Sequence, residues 1–349
     1  RITKYTDYDK HFIKLRNFNM KSSFSEKELI KDFCNILINN SNEDNLLIGI
    51  GDDAAVFRSH EFATQSTDAL VENIHFDLSY TSFYNLGWKS IAVNQSDLAA
   101  MGSSSKYFLV TIGVPKSIER KNLKELYIGF KDILAFGGGQ IIGGDLVRSN
   151  ELFVSIAATG FCQVKNNKPL IMKRNCAKPG DVIAVTGFLG DSSGGLTLLK
   201  KRVKNFEYLK NAHFKPKPKI KESQIFSKMG IKSCIDISDG LFTDATRISE
   251  ASKVSIIIDT DKIPVSQELK EAFPTNWKNQ ALNGGEDYQL LITGKNELIT
   301  KIKNENDLNL TIIGNVENKS SELLTLLENK KPSSKFLSKG WDHFKNNDK

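Results

Sequence analysis

Acidic residues cluster at five places in this chain, mostly beside glycine: Gly49-Ile-Gly-Asp-Asp-Ala54, Ser66-Thr-Asp68, Gly143-Gly-Asp145, Asp236-Ile-Ser-Asp-Gly240 and Gly284-Gly-Glu-Asp-Tyr288. Each reads as the end of an apolar strand or the start of a helix. Asn94-Gln-Ser-Asp97 adds a sixth carboxylate inside a helix-like stretch. A single turn of this kind is a cap, because Asp and Gly are favoured there for local reasons. Several carboxylates brought to one cleft repel one another unless cations neutralise them. Hard oxygen ligands select Mg²⁺ or Ca²⁺, and Mg²⁺ is commonly held by a few carboxylates plus substrate phosphates. Glycine beside an aspartate lets the backbone approach a phosphate. Together the clusters imply a Mg²⁺–nucleotide site.

Short apolar strands alternating with amphipathic stretches must position these groups, which predicts an α/β or α+β architecture. Strands are expected at Leu46–Ile50, Glu61–Thr67, Lys106–Gly113, Ile141–Gly143, Phe153–Cys162 and Asp181–Thr186. Helices are expected at Glu26–Ile38, Asn85–Met101 and Leu123–Phe136, with another after Asp191 and a basic connection near 210–220. The polar segment Gln163–Lys168 marks a boundary, giving an extension over 1–23, an N-terminal domain over 24–165 and a C-terminal domain over 166–349. Residues 1–19 have no hydrophobic stretch typical of a secretory signal and read as a dispensable extension.

Composition narrows the class. At 349 residues, with 40% hydrophobic and 26% charged residues, the chain can bury a sizeable core. No apolar run approaches the roughly 18–20 residues of a membrane span. The net charge of +7 invites nucleic acid, but the excess is diffuse, as in Lys200-Lys-Arg202 and 214–219, while the glycine turns carry aspartates. A solvated face or mild steering of anions fits better. Four scattered cysteines and five histidines offer no zinc or disulfide framework, and a reducing cytoplasmic setting follows.

Two nucleotide motifs fail. Gly294-Lys295 is followed by Asn and lacks the upstream glycine of a Walker A loop. Gly49-Ile-Gly51-Asp-Asp-Ala54 matches a dinucleotide fingerprint, with Asp68 at the ribose-acid position, but that motif must open a helix. Ala55–Thr67 is too short for a helix and a returning strand, and Glu61–Thr67 reads as a hairpin partner.

The motifs resemble the thiamine-monophosphate kinase family, within the aminoimidazole ribonucleotide synthetase superfamily. Ser66-Thr-Asp-Ala-Leu-Val-Glu-Asn-Ile-His-Phe76, Gly87-Trp-Lys89, Asp97-Leu-Ala-Ala-Met-Gly102 and Gly340-Trp-Asp-His-Phe344 join the acidic turns in that family's order, from about Phe24 to Phe344. The resemblance implies transfer of the ATP γ-phosphoryl group to thiamine monophosphate (TMP), assisted by several Mg²⁺ ions. It also implies a homodimer whose N-terminal domains together close a β-barrel, with active sites between N- and C-terminal domains. By motif, Asp53, Ser66, Thr67, Asp68, Asp97, Asp145, Asp236 and Asp239 would be magnesium ligands. Tyr127, Gly144, Asp145, Arg174 and Ser238 would contact ATP, and His75, Glu286 and Trp341 the thiamine substrate. Leu146-Val147 depart from the threonines usual after Gly-Gly-Asp.

The chemistry agrees with that set. The acceptor is a phosphate monoester with a second pKa of about 6, already nucleophilic at neutral pH, so no general base is needed. The obstacle is repulsion between polyanions, on the order of 4 kcal/mol per unit-charge pair at about 4 Å and an effective dielectric of 20. Metal ions offset it. An indole such as Trp341 could stack on a thiazolium for about 0.5–2 kcal/mol. Gly187-Phe-Leu-Gly-Asp-Ser-Ser-Gly-Gly195 is equally a structural turn or an anion nest at a helix N-terminus. The competing readings are a sister enzyme, of the aminoimidazole ribonucleotide or selenophosphate synthetase type, and a non-catalytic basic protein that binds nucleic acid.

Overall fold

Alternation builds the first sheet. In a computed structural model describing residues 26–37, 45–48, 50, 54–59 and 62–334, strand β3 (Ala63–Val71) turns Ser66, Asp68 and Leu70 to one face and Thr67 and Ala69 to the other. Before it come helix α1 (Glu26–Leu37) and the short strands β1 (Leu46–Ile48) and β2 (Val56–Phe57). Helix α2 (Phe83–Ala100), β4 (Ser103–Val114), α3 (Arg120–Gly137), β5 (Gln140–Arg148) and β6 (Phe153–Cys162) follow. The strand order is β3-β6-β4-β5, with only β4 and β5 parallel. A parallel pair needs a crossover, and α3 supplies it.

The sheet is covered on one side. Phe108, Val110, Ile112, Val154 and Ile156 meet α2 and α3 in a buried core, while the opposite face leaves Leu109 45% and Val147 37% exposed. The β1–β2 hairpin shields one end of that second face, where Phe57 packs on Tyr107 at 4.5 Å.

Two expectations are corrected. Strand Glu61–Thr67 is no hairpin partner: β3 pairs along its whole length with β6, some ninety residues downstream. Ser66-Thr-Asp68 and Gly143-Gly-Asp145 lie mid-strand, because alternation continues past each into apolar residues. The dinucleotide fingerprint stays excluded, since strands rather than a helix follow Ala54.

After two-residue strands β7 (Val164–Lys165) and β8 (Lys168–Pro169) the chain builds a second sheet. It contains β9 (Val182–Thr186), β10 (Ser233–Asp236), β11 (Ser255–Asp259), β12 (Leu290–Gly294), β13 (Leu310–Glu317), β14 (Leu324–Glu328) and β15 (Lys331–Pro332). The order is β10-β12-β9-β13-β11-β14-β15. Its strands are apolar on both faces: Ile183 and Val185 enter one core, Ala184 and Ile292 the other. Continuous apolar runs are what a doubly covered sheet requires.

Among the described residues seven helices lie in this half of the chain: α4 (Asp191–Lys200), α5 (Glu207–Phe214), α6 (Ile220–Met229), α7 (Leu241–Ser252), α8 (Gln267–Ala272), α9 (Trp277–Asn283) and α10 (Asn296–Asn306). The basic connection expected near 210–220 is therefore partly helical. Its Pro216 carbonyl accepts a 2.8 Å bond from Trp88 Nε1 on α2. Among the described residues no helix is long and apolar enough to cross a membrane.

Candidate active site

Helix α2 carries the site. It is buried on nearly every side, between the first sheet and the second domain, so its polar side chains need partners. Only two of its residues are charged, Lys89 and Asp97. Lys89 Nζ lies 2.6 Å from Glu286 Oε1. Ser96, two turns on, donates from Oγ to Asp236 Oδ2 at 2.8 Å. Asp97 accepts from the Ser66 hydroxyl on β3. One helix thus gathers groups from β3, β10 and the 284–289 loop.

Asp68, Asp97 and Asp236 form an acidic cluster. Burial raises the Asp68 carboxyl, and the Asp97 charge beside it raises it further. Burial likewise raises Asp97, against the Ser66 hydrogen bond and the Arg174 charge. Asp236 is pushed up to about 7 by burial and then by Asp97, with Ser96 and Arg174 opposing. The same desolvation and repulsion make the cluster attractive to cations, and its oxygens are the hard donors Mg²⁺ takes. Among the described residues no three carboxylate or imidazole groups converge closely enough to enclose one ion.

A second cluster adjoins it. Glu286 adopts φ +67, and its loop is pinned to the strand–helix turn before α7: Glu286 N donates to Ser238 O at 2.8 Å and Tyr288 N to Ile237 O at 2.9 Å. Gly285 is required there, since a Cβ would stand 2.5 Å from Ser238 O. Burial would raise the Glu286 carboxyl, but the Lys89 ammonium above all brings it below its usual value, with His75 adding to the effect. His213 Nδ1 lies 3.4 Å from Glu286 Oε2, and burial pushes that imidazole down to about 3, so it stays neutral. Buried Tyr288 lies between the clusters: burial and the charges of Glu286, Asp68, Asp236 and Asp97 all raise its phenol.

The remaining expected residues fall elsewhere. Asp145 and Thr67 face the open side of the first sheet, away from Ser66 and Asp68. Asp145 pairs across Thr111 and Ser155 to Ala69, three strand spacings or about 14 Å from β3. With Gly144 and Tyr127 it lines a cavity of about 840 Å³ wrapped around the free edge of β5, within the range of small-molecule sites. Tyr127 is itself buried there, its ring stacked on Phe33 at 3.6 Å.

At Gly144 strand packing by itself requires glycine, since a Cβ there would meet Val110 O at 2.0 Å. Asp239 is clamped by Arg247 at 2.5 Å, and Asp244 accepts from the Ser238 and Asp239 amides. His75 Nδ1 accepts from Val71 N at 3.1 Å, and its charge, when protonated, favours ionised Glu286. Arg174 acts on Asp97 and Asp236. Asp53 and Trp341 lie outside the described residues.

The amide nest of the 187–195 loop is filled from within the chain. Asp287 fills it, its carboxylate accepting from Gly190 N at 2.7 Å and Ser192 N at 3.2 Å. Lys89, His213 and Asp287 were missed as functional groups. The signal for Lys89 was a lone lysine in an apolar helix, eight residues before its only aspartate.

Comparison with known proteins places the chain in a family. The family model described as AIR synthase related protein, N-terminal domain, matches residues 51–162, and that of the C-terminal domain matches 178–326. Thiamine-monophosphate kinase of Bacillus subtilis (strain 168) is 33% identical over 332 residues, covering 92% of this chain and 99% of that protein. The enzyme of Buchnera aphidicola subsp. Acyrthosiphon pisum (strain APS) is 36% identical over 332 residues, with the same coverage. Among solved structures, thiamine-monophosphate kinase from Stenotrophomonas maltophilia K279a superposes with TM-score 0.75 at 28% identity, covering 87% of this chain and 96% of that one. AaThiL complexed with AMPPCP and TMP superposes with TM-score 0.72 at 32% identity, covering 81% and 87%. An α2 helix that joins buried aspartates to a glutamate loop therefore sits in a chain that belongs to the thiamine-monophosphate kinase family.

Proposed function

We propose that this protein transfers the γ-phosphoryl group of ATP to TMP, giving thiamine diphosphate and ADP. The observation that carries the reading is the joining, by one helix, of the Asp68–Asp97–Asp236 cluster to the Glu286 loop. A carboxylate cluster suits two polyanions bridged by cations, and the loop suits the thiamine end of the acceptor.

Asp68, Asp97 and Asp236, with Ser66 beside them, would hold Mg²⁺, with phosphate oxygens and water completing the shells. Asp53 belongs to the same ligand set, and Asp239 would join once released from Arg247. Thr67 would contribute through its main chain, its side chain facing away. When bound, the cations offset the repulsion of donor and acceptor phosphates and stabilise charge in the transferring group. The protein's own groups do the positioning: Arg174 balances the cluster, Ser66 and Ser96 orient Asp97 and Asp236, and Ser238 meets the nucleotide. The cavity at β5, with Tyr127, Gly144 and Asp145, would take the nucleoside. His75, Glu286 and Trp341 would hold TMP.

The reading extends to assembly. A second copy would cover the open face of the first sheet, where Leu109 and Val147 are exposed, and close a barrel across a homodimer. Residues 24–165 would supply the nucleotide and dimer surfaces, 166–349 the rest of the cleft, in a cytoplasmic enzyme.

The test is ADP release and thiamine diphosphate formation from ATP, Mg²⁺ and TMP, with free thiamine as control acceptor. Turnover of TMP alone supports the reading. A folded sample that leaves TMP unchanged overturns it.

A further inference from the structure

The ion pair under the glutamate loop is asymmetric. Lys89 is 4% exposed, and its Nζ lies 2.6 Å from Glu286 Oε1. The Glu286 side chain keeps 27% of its surface open. Lys89 comes from the first domain and Glu286 from the second, so the pair also spans the two halves of the cleft. On the other side, His213 Nδ1 stands 3.4 Å from Glu286 Oε2 and 3.2 Å from Ser192 Oγ. Other charged or titratable groups around the pair are His75 near Glu286, Lys200 near His213, and Asp287, Tyr288 and the Tyr80 phenol, on which the Glu286 charge acts. A ligand entering the cleft meets the carboxylate; the ammonium that cancels its charge is sealed behind it.

We infer that Lys89 is a positioning residue that makes Glu286 an oriented, charge-compensated hydrogen-bond acceptor, so that the substrate is chosen by its amino group rather than by the positive charge of its ring. This deepens the proposed reaction and rests on it. A bare buried carboxylate would prefer the cationic ring through charge alone. A carboxylate already paired has little net field to offer, but retains lone pairs in a fixed direction. A site built to accept from one N–H donor discriminates against an analogue lacking it, because the buried acceptor is then left unmatched.

The experiment uses the full chain and three acceptors: TMP, an analogue whose thiazolium is replaced by an uncharged thiophene, and an analogue lacking the exocyclic amine. KM and kcat are measured separately, and TMP binding by calorimetry. In wild type, the uncharged-ring analogue should raise KM by no more than the about 10-fold that stacking on Trp341 supplies, while loss of the amine should raise KM by about 100-fold. In K89M the order should shift: KM for TMP rises about 10-fold with kcat changed less than about 3-fold, and the uncharged-ring analogue now binds about 100-fold worse than TMP. K89R should restore the wild-type preference.

An uncharged-ring analogue that loses as much as the amine-lacking one in wild type overturns the inference, and so does K89M with unchanged KM values. The acceptor series in wild type decides the matter even where K89M does not fold. Turnover of TMP with the wrong acceptor preference sinks this inference alone, whereas absence of TMP binding sinks it together with the proposed reaction.

Discussion

The two sheets differ in how they are covered, and the difference separates scaffold from working surface. The seven-stranded sheet is buried on both faces, with Ile183, Ile258 and Ile292 fully enclosed. The four-stranded sheet is buried only towards α2 and α3, and its other face presents Leu109, Thr67 and Asp145. The covered side of the smaller sheet meets the larger domain through α2, and the acidic cluster forms at that junction. A doubly covered sheet fixes geometry. A singly covered one leaves room for a ligand at its edge and a partner on its face.

That contrast can be broken most severely in the larger sheet. Ile258→Asp places an unpaired carboxylate in a fully enclosed position and should prevent folding at 25 °C, read by circular dichroism. The equivalent insult on the open face, Leu109→Lys, should leave monomer stability within about 0.5 kcal/mol, yet shift the light-scattering mass of the proposed homodimer towards that of a monomer. Equal destabilisation by both would remove the distinction.

Loop geometry gives a smaller effect. Gly285→Ala forces a Cβ towards Ser238 O, and should cost about 1–3 kcal/mol in denaturant unfolding. It should also raise KM for TMP, since Glu286 moves with the loop.

A pH effect sharpens the role of the 187–195 loop. Asp287 is pushed up to about 8, chiefly by burial. Its folded-state pKa thus lies above its unfolded one, so the native state binds the extra proton, and stability falls as pH rises from about 4 to 8. Asp244, raised to about 6, acts in the same direction. The melting temperature should therefore be higher near pH 5 than near pH 8, and Asp287→Asn should flatten the slope. The smallest effect is expected for Lys121→Ala, which removes an exposed pair with Glu119 and should leave the melting temperature unchanged within measurement error.

Much of this was legible in the residues. Alternation along 153–162 gave a strand matching β6 at both ends, and the acidic motifs marked the residues that α2 gathers. Faces were harder to read. Which side Asp145 takes depends on the register of β5 against β4: Ile142 is an extra residue in β5 opposite Phe108–Leu109, and this bulge switches the faces that strict alternation would assign. The filled nest at Gly190 was hidden for a similar reason: Asp287, its occupant, is nearly a hundred residues away. Lys89 was visible as an isolated charge, but its meaning lay in a glutamate contributed by the other domain.

The most direct test of the central claim, that the aspartate cluster and the glutamate loop form one site with two tasks, is a paired measurement on Asp97→Asn and Glu286→Gln. Thiamine diphosphate formation is followed by phosphorus NMR, and TMP binding by calorimetry. The account predicts that Asp97→Asn lowers turnover by about 10²–10³-fold while TMP still binds. Glu286→Gln should weaken TMP binding by about 10-fold or more. Turnover at the wild-type rate in Asp97→Asn, or unchanged TMP affinity in Glu286→Gln, would contradict it.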